Sequence, residues 1–246
     1  MVAFRDISYY GWQDIYYVDV EHSSSDSPYP ITGSNIYRIK IDSSGTLYMC
    51  GFYSVPGLDD CWFVERSKDG GYNWELVDFV NTANARDRAR GLCIDSNDVI
   101  YVCGQEEDSN GDRNWIVRRS TTGNSGTFEY VDFINRTPDK PDYAYDVAVD
   151  SNNAVYVVGS EVVGVLNHIV VRKSDTGESG SFYYVSDGNS DQYSITGIGY
   201  GIYIDPNDYI YIMCDNYLGA KGNEWLVARS TTGLSDSFGL VDRMAS

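Results

Sequence analysis

Short apolar runs separated by turn-forming residues recur at a nearly constant spacing along the chain. Four of these runs end in an aspartate, and the four aspartates are 53, 55 and 55 residues apart. A fixed period of this length indicates a tandem structural repeat. Long apolar runs with helical periodicity are absent, so the repeated unit is predicted to consist of β-strands. The four aspartates are Asp42, Asp95, Asp150 and Asp205.

Each repeat contains four strand-like segments. After the aspartate come turn formers and then an apolar run with a tyrosine at one fixed place, which together predict a β-hairpin. A third run ends in basic residues before a serine, and a turn rich in Gly and Ser leads to the fourth. The fixed tyrosines are Tyr48, Tyr101, Tyr156 and Tyr211, and the serines are Ser67, Ser120, Ser174 and Ser230.

Four short strands in a period of about 50 residues are typical of a β-propeller blade, in which each sheet buries both faces against its neighbours. We predict an all-β fold, a β-propeller of four complete four-stranded blades plus an N-terminal half blade, in one domain spanning residues 1–246. Independent sandwiches are the alternative, but each would need about twice this length. The predicted blades are 36–78, 89–132, 144–186 and 199–242.

The half blade is assigned to residues 1–19, because residues 14–19 match residues 127–132. Residues 20–35 then form an exposed linker. Propellers usually avoid open strand edges by closing the ring, and the sequence offers no first two strands for this further blade. We therefore expect residues 1–19 to pair with another protein chain or to lie against the last blade, in an oligomer or larger assembly.

The charge balance restricts the partners. The 36 acidic residues outnumber the 18 basic ones, which gives a net charge of −18, and such a polyanion repels nucleic acid and anionic membranes. Neither a membrane-spanning segment nor a signal peptide is predicted. The five cysteines have no CxxC spacing and are expected to be reduced core residues of a chain made in a cytoplasm. No cofactor is expected.

One turn carries a specific motif. Ser67, Asp69, Gly71 and Trp74 fit the pattern S-x-D-x-G-x-x-W, and the chain therefore resembles the Asp-box (BNR/sialidase-like) family of β-propeller repeats. The resemblance implies a fold-stabilising turn, in which the aspartate accepts backbone N–H groups and the tryptophan fills the gap between blades. The other three turns are one residue longer, with threonine in place of the aspartate.

The sequence gives little support for catalysis. Residues 37–40, Tyr-Arg-Ile-Lys, are similar to the Tyr/Phe-Arg-Ile-Pro motif of sialidases, whose arginine binds the substrate carboxylate, but Lys40 replaces the proline. Two further carboxylate-binding arginines cannot be placed, and that family uses six blades. With 36 acidic residues, a pair of neighbouring carboxylates carries no information. We therefore expect no enzyme and no catalytic residues.

Two features are candidates for binding. The position just before each inner strand is occupied by Tyr37, Arg90, Tyr145 and Tyr200, so the repeat predicts a ring of these side chains near one end of the central channel. Such side chains suit sugar or protein recognition, and packing between blades is the alternative. The loop 106–112 begins like a calcium loop but has its glycine at the wrong position, so no metal site is expected.

The function favoured by the sequence is a non-enzymatic interaction or structural module. We expect a component of a viral (phage) particle, such as a tail, fibre, baseplate or decoration protein with a role in host attachment, located in the virion after synthesis in the host cytoplasm. The alternative is a carbohydrate-binding or sialidase-like glycosidase propeller that acts on surface glycans. Other protein chains, and glycans under the second reading, are the expected partners.

Overall fold

The protein is all-β in its computed structural model. The residues described form strands β1–β18 and no helix, so none of them belongs to a helix that could cross a membrane. All five cysteines are free and buried. The described residues are 2–3, 17–18, 31–83, 85–186, 196–217, 223–235 and 237–244.

Sixteen of the strands form four antiparallel sheets, which we call blades 1 to 4. In every blade the four strands are neighbours in chain order. Blade 1 comprises β3 (Gly33–Ile41), β4 (Leu47–Val55), β5 (Asp59–Ser67) and β6 (Glu75–Val80). Blade 2 comprises β7 (Arg88–Ile94), β8 (Ile100–Glu107), β9 (Arg113–Ser120) and β10 (Glu129–Ile134). Blade 3 comprises β11 (Tyr143–Val149), β12 (Val155–Val163), β13 (Leu166–Ser174) and β14 (Tyr183–Ser186), and blade 4 comprises β15 (Gly199–Ile204), β16 (Ile210–Tyr217), β17 (Asn223–Ser230) and β18 (Gly239–Met244).

The blades follow one another around a common axis. The first strand of each blade, which we call the inner strand, contacts the inner strand of the next blade, from β3 through β7 and β11 to β15. Each blade therefore has a rear face toward the preceding blade and a forward face toward the next one. This arrangement confirms the predicted β-propeller with four four-stranded blades.

The core lies between the blades. Trp62 and Val64 on the forward face of blade 1 pack with Leu92 and Ile116 on the rear face of blade 2, and all four are at least 99% buried. Equivalent clusters lie between blades 2 and 3 and between blades 3 and 4. Because both faces of a middle blade are covered, its second and third strands are buried along most of their length.

A buried polar triad joins blades 1 and 2. The carboxylate of Asp78 accepts hydrogen bonds from Arg118 Nε (2.8 Å) and Nη2 (2.9 Å) and from Trp62 Nε1 (3.1 Å). Arg118 Nη2 also donates to the carbonyl oxygen of Phe128 at 2.9 Å. The arginine of one blade is thus bound by the tryptophan–aspartate pair of the preceding blade.

The triad recurs between blades 2 and 3 but is absent between blades 3 and 4. Asp132 accepts from Arg172 Nε (2.7 Å) and from Trp115 Nε1 (3.2 Å) between blades 2 and 3. Between blades 3 and 4 all three polar members are changed together. There, Ile169, Ser186 and Ala228 occupy the positions of the tryptophan, the aspartate and the arginine, and all three are buried.

The N-terminal predictions are only partly covered by the structure. Val2–Ala3 (β1) pairs antiparallel with Tyr17–Val18 (β2) in a two-stranded sheet separate from the blades. The remainder of the predicted half blade lies outside the described residues. The predicted linker ends too late, because residues 33–35 belong to β3, where they pair with residues 52–54.

Candidate functional site

The inner strand of every blade contains a β-bulge at the same place. The strand register shifts between Ile36 and Arg38 in blade 1, and it shifts at the equivalent position in the other three blades. Bulges re-aim a side chain and are frequent beside active sites. The extra residues are Tyr37, Arg90, Tyr145 and Tyr200, the four members of the predicted ring.

In blades 1 to 3 a glycine lies opposite the bulge and allows a close approach of the two backbones, whereas blade 4 has Cys214 at this position. A Cβ atom on Gly51 would lie 1.8 Å from the carbonyl oxygen of Asn35, and one on Gly104 would lie 2.0 Å from that of Arg88. Gly159 is in the same position in blade 3, with 1.9 Å to the carbonyl oxygen of Tyr143. These glycines follow the fixed tyrosines by three residues, a signal that sequence analysis could have used to locate the bulges.

The four ring residues come together in the structure. The guanidinium carbon of Arg90 lies 4.9 Å from the ring centroid of Tyr145 and 5.8 Å from that of Tyr37. Tyr145 and Tyr200 make an edge-to-face contact at 5.5 Å, and Tyr200 contacts Trp225 at 5.8 Å. We call these five residues the aromatic ring site. Its four bulge residues are half-buried, and their binding role stays a prediction.

Polar partners hold the ring side chains in place. Gln105 Oε1 accepts from Arg90 Nη2 (2.9 Å) and Nε (3.2 Å). The Tyr200 hydroxyl donates to Asp215 Oδ2 at 3.4 Å, and burial together with Asp215 raises the pKa of Tyr200. Burial raises the pKa of Tyr145 to about 12, against the opposing effect of Arg90. The hydroxyls of Tyr145 and Tyr200 are therefore neutral hydrogen-bonding groups at physiological pH.

An ion pair crosses the channel one residue further along the inner strands. Arg38 Nη2 lies 3.2 Å from Asp146 Oδ2 and links blade 1 to blade 3. Arg38, the arginine of the sialidase-like motif, is thus engaged with a carboxylate of its own chain. A cleft of about 280 Å³ is lined by both residues and by Lys40 and Tyr203. Sequence analysis did not identify Asp146, because its partner is 108 positions away along the chain.

Two carboxyl groups near the ring have raised pKa values but face away from solvent. Burial raises the pKa of Asp87 to about 7 and that of Asp142 to about 6. Both side chains are fully buried. Asp87 Oδ1 accepts from the backbone N–H of Glu107 at 2.8 Å, and Asp142 Oδ2 accepts from that of Arg136 at 2.9 Å. These carboxyl groups tie loops to the blades and are not accessible to a substrate.

The Asp-box turn has the hydrogen bonds that its motif implies. Asp69 Oδ1 accepts from the Asn73 N–H at 2.9 Å and from the Ser67 hydroxyl at 2.8 Å, and these bonds lower the pKa of Asp69 to about 2. The Gly71 N–H donates to Ser67 Oγ. Trp74 is half-buried and packs on the rear face of blade 1. The motif lies in the turn between β5 and β6.

The other three turns use a glycine where a tyrosine of the preceding blade approaches. A Cβ atom on Gly123 would lie 2.3 Å from the Tyr48 hydroxyl oxygen, and one on Gly177 would lie 2.1 Å from that of Tyr101. The same contact joins Gly233 and Tyr156. The fixed tyrosines Tyr48, Tyr101 and Tyr156 therefore each pack closely against the turn of the following blade.

Carboxylates of the calcium-like loop 106–112 accept hydrogen bonds from the protein itself. Asp108 Oδ1 accepts from the N–H groups of Asn110 (2.8 Å) and Asp112 (3.1 Å). Asp112 Oδ2 accepts from Asn135 and from the backbone of Asp139. Within the described part of the chain, no group of three His, Cys, Asp or Glu side chains is placed to hold a metal ion.

Several solved structures share this fold. The α-L-arabinofuranosidase of Fusarium graminearum, solved with an iminosugar inhibitor, superimposes with a TM-score of 0.57 at 13% identity over 84% of this chain and 65% of that enzyme. An ulvan lyase, described as a polysaccharide lyase, gives a TM-score of 0.56 at 12% identity over 84% of this chain and 55% of the lyase. A Hadza microbial sialidase gives 0.57 at 11% identity over 85% of this chain and 46% of the sialidase. The chain spans less than two-thirds of each of these three proteins.

These neighbours correct two expectations. The prediction that the protein is not an enzyme is contradicted, because its structural neighbours are a glycosidase, a polysaccharide lyase and a sialidase. Nothing in the comparisons supports the predicted viral structural role. No protein-family profile and no curated protein sequence matches the chain.

Proposed function

We propose that this protein is a carbohydrate-acting β-propeller and that the aromatic ring site binds the sugar chain. The observation that carries the proposal is the set of four equivalent β-bulges, which direct Tyr37, Arg90, Tyr145 and Tyr200 to one place. The three enzymes of the same fold support it, since one is a glycosidase, one a polysaccharide lyase and one a sialidase.

The chemistry of the ring suits a sugar. Aromatic faces contact the C–H surface of a pyranose or furanose ring, while hydroxyl, amide and guanidinium groups fix its orientation by hydrogen bonds. Tyr145, Tyr200 and Trp225 supply adjoining aromatic faces. Arg90 and Gln105 supply the polar groups, already oriented by their mutual hydrogen bonds.

Asp215 is the carboxylate that we assign to acid–base chemistry. Cleavage of a glycosidic bond, whether by hydrolysis or elimination, needs a positioned group that gives or takes a proton. Asp215 contacts the ring through the Tyr200 hydroxyl. Asp215 is half-buried and also accepts from the Ile198 N–H at 2.6 Å. Asp146 is paired with an arginine, Arg38, and Asp87 and Asp142 are fully buried, so these three are less suited to the role.

Binding is tested by a glycan array followed by calorimetric titration of the best glycan. Tyr145→Ala and Arg90→Ala are expected to weaken binding about tenfold or more, the effect of removing an anchor worth about 1.4 kcal/mol or more. Tyr72→Ala is the matched control, because Tyr72 is 80% exposed in the Asp-box turn, and its affinity should equal that of the wild type. Binding that survives both ring substitutions would contradict the proposed site.

Cleavage is tested by release of sugar fragments from the glycan that binds. Asp215→Asn is expected to lower kcat with little change in KM, because it removes a proton-transferring group and keeps the shape of the site. Asp98→Asn is the control, since blade 3 has Asn153 at the equivalent position in its turn. Unchanged kcat in Asp215→Asn would exclude this residue from the chemistry.

A further inference from the structure

The forward face of blade 4 presents apolar side chains to solvent at positions that are buried in the other blades. Met213, Trp225 and Val241 are 48%, 50% and 51% exposed, whereas their counterparts are at most 3% exposed. The counterparts are Cys50, Cys103 and Val158 for Met213, Trp62, Trp115 and Ile169 for Trp225, and Val77, Val131 and Val185 for Val241. This face therefore has the composition of a blade-to-blade interface.

The polar pattern of this face indicates what it would bind. Trp225 and Asp242 stand at the positions of the tryptophan and aspartate that bind an arginine of the next blade in the first two interfaces. At the interface between blades 3 and 4, Ala228 stands in place of the arginine, and blade 3 has neither the tryptophan nor the aspartate. Asp242 is exposed. The tryptophan–aspartate pair thus accompanies an arginine on the facing sheet.

We infer that the forward face of blade 4 is the docking surface for a partner β-sheet of the blade type. The partner places an apolar surface against Met213, Trp225 and Val241 and an arginine against Asp242. Because Trp225 also contacts Tyr200, the partner would border the aromatic ring site. The inference rests on the repeat itself and does not depend on the proposed function.

A second copy of this chain, joined head to tail, does not fit that description. Its rear face of blade 1 carries Glu65 at the position of the arginine, so two carboxylates would meet. Met49 and Phe63 on that face are already fully buried. The partner is therefore a different sheet.

The contact is confined to the sheet face. In blades 1 to 3 a serine in the first turn donates to the turn of the next blade, as Ser43 does to Asp98 and Ser151 does to Asp208. Pro206 holds this position in blade 4 and has no N–H to donate. A docking sheet consequently gains its contacts from the strands and makes no such hydrogen bond at the turn.

The probe for this surface is a blade of known complementarity, appended to the full chain. A copy of residues 135–186 added after residue 246 brings Arg172 and the rear face that packs on blade 2. Acrylamide quenching is measured with and without Trp225→Phe, so that the difference reports Trp225 alone. We expect the Stern–Volmer constant of Trp225 to be at least halved in the extended chain, and Arg172→Glu in the copy alone to restore it.

Three results would overturn the inference. One is a Trp225 that stays equally quenchable although circular dichroism shows the added strands. Another is a Trp225 that is shielded in the original chain at high concentration with a doubled mass, which would assign the face to a second copy. The third concerns the original chain without an added blade. Trp225→Glu should leave its melting temperature unchanged. A clear fall in the melting temperature, or increased quenching of Trp225 after deletion of residues 1–30, would show that the face is already covered.

Discussion

The triad between blades 1 and 2 allows a sharp test of how the blades are held together. Arg118→Ala removes the partner of Asp78, a carboxylate that burial already disfavours, since burial raises its pKa despite the opposing bonds from Arg118 and Trp62. Breaking a buried ion pair by removing one partner costs about 3–5 kcal/mol, because the remaining charge is uncompensated. We expect Arg118→Ala to lower the free energy of unfolding by this amount.

The interface between blades 3 and 4 indicates a second substitution that should compensate for the loss of Arg118. Between blades 3 and 4, Ser186 and Ala228 replace the aspartate and the arginine, and both are buried. The double variant Asp78→Ser/Arg118→Ala copies that solution and leaves no buried charge. We expect it to cost only about 1–2 kcal/mol, mainly for the hydrogen bonds lost by Trp62 and the carbonyl oxygen of Phe128.

Urea unfolding followed by circular dichroism measures the two single variants, Arg118→Ala and Asp78→Ser, and the double variant. Arg86→Ala is the control, because Arg86 forms an exposed ion pair with Asp59 at 3.5 Å and such pairs contribute less than about 1 kcal/mol. The coupling between the two substitutions should reach about 2 kcal/mol or more. A double variant as unstable as the sum of its single variants would refute the idea that the charge, rather than the side-chain volume, decides the cost.

Three further predictions concern stability and reactivity. Gly123→Ala should destabilise by about 1–3 kcal/mol and more than Gly126→Ala in calorimetry, since both have positive φ but only the first meets another side chain, the Tyr48 hydroxyl. The free energy of unfolding should fall as the pH rises from about 4 to about 7. The folded state keeps the proton of Asp87 to about pH 7, whereas the unfolded state releases it near pH 4. Asp87→Asn should flatten that slope. All five thiols should resist Ellman's reagent until the protein unfolds, because burial raises their pKa values, and fast labelling of the native protein would contradict this.

The sequence predicts the parts of the fold that repeat. Turn residues and the fixed tyrosines place the four hairpins, and the equivalent position of Tyr37 and Arg90 was enough to predict that the ring residues lie together. The bulges were not predicted, because a register shift depends on pairing between strands and leaves only an indirect trace, the glycines such as Gly51. The ion pair of Arg38 and Asp146 was also out of reach, since it joins blades that are not neighbours in the chain.

Comparison of equivalent positions in the four blades distinguishes residues that packing explains from residues that it does not. Where the four blades share a geometry and keep the residue, as with the fixed tyrosines, packing explains the choice. At the bulge the geometry is the same in every blade, yet blade 2 has Arg90 where the others have tyrosine, and the next residue is Arg38, Gly91, Asp146 or Gly201. Packing alone does not require the residue at either position to differ between equivalent backbones. The asymmetry is therefore what an asymmetric ligand, such as a sugar chain lying across the channel, would select.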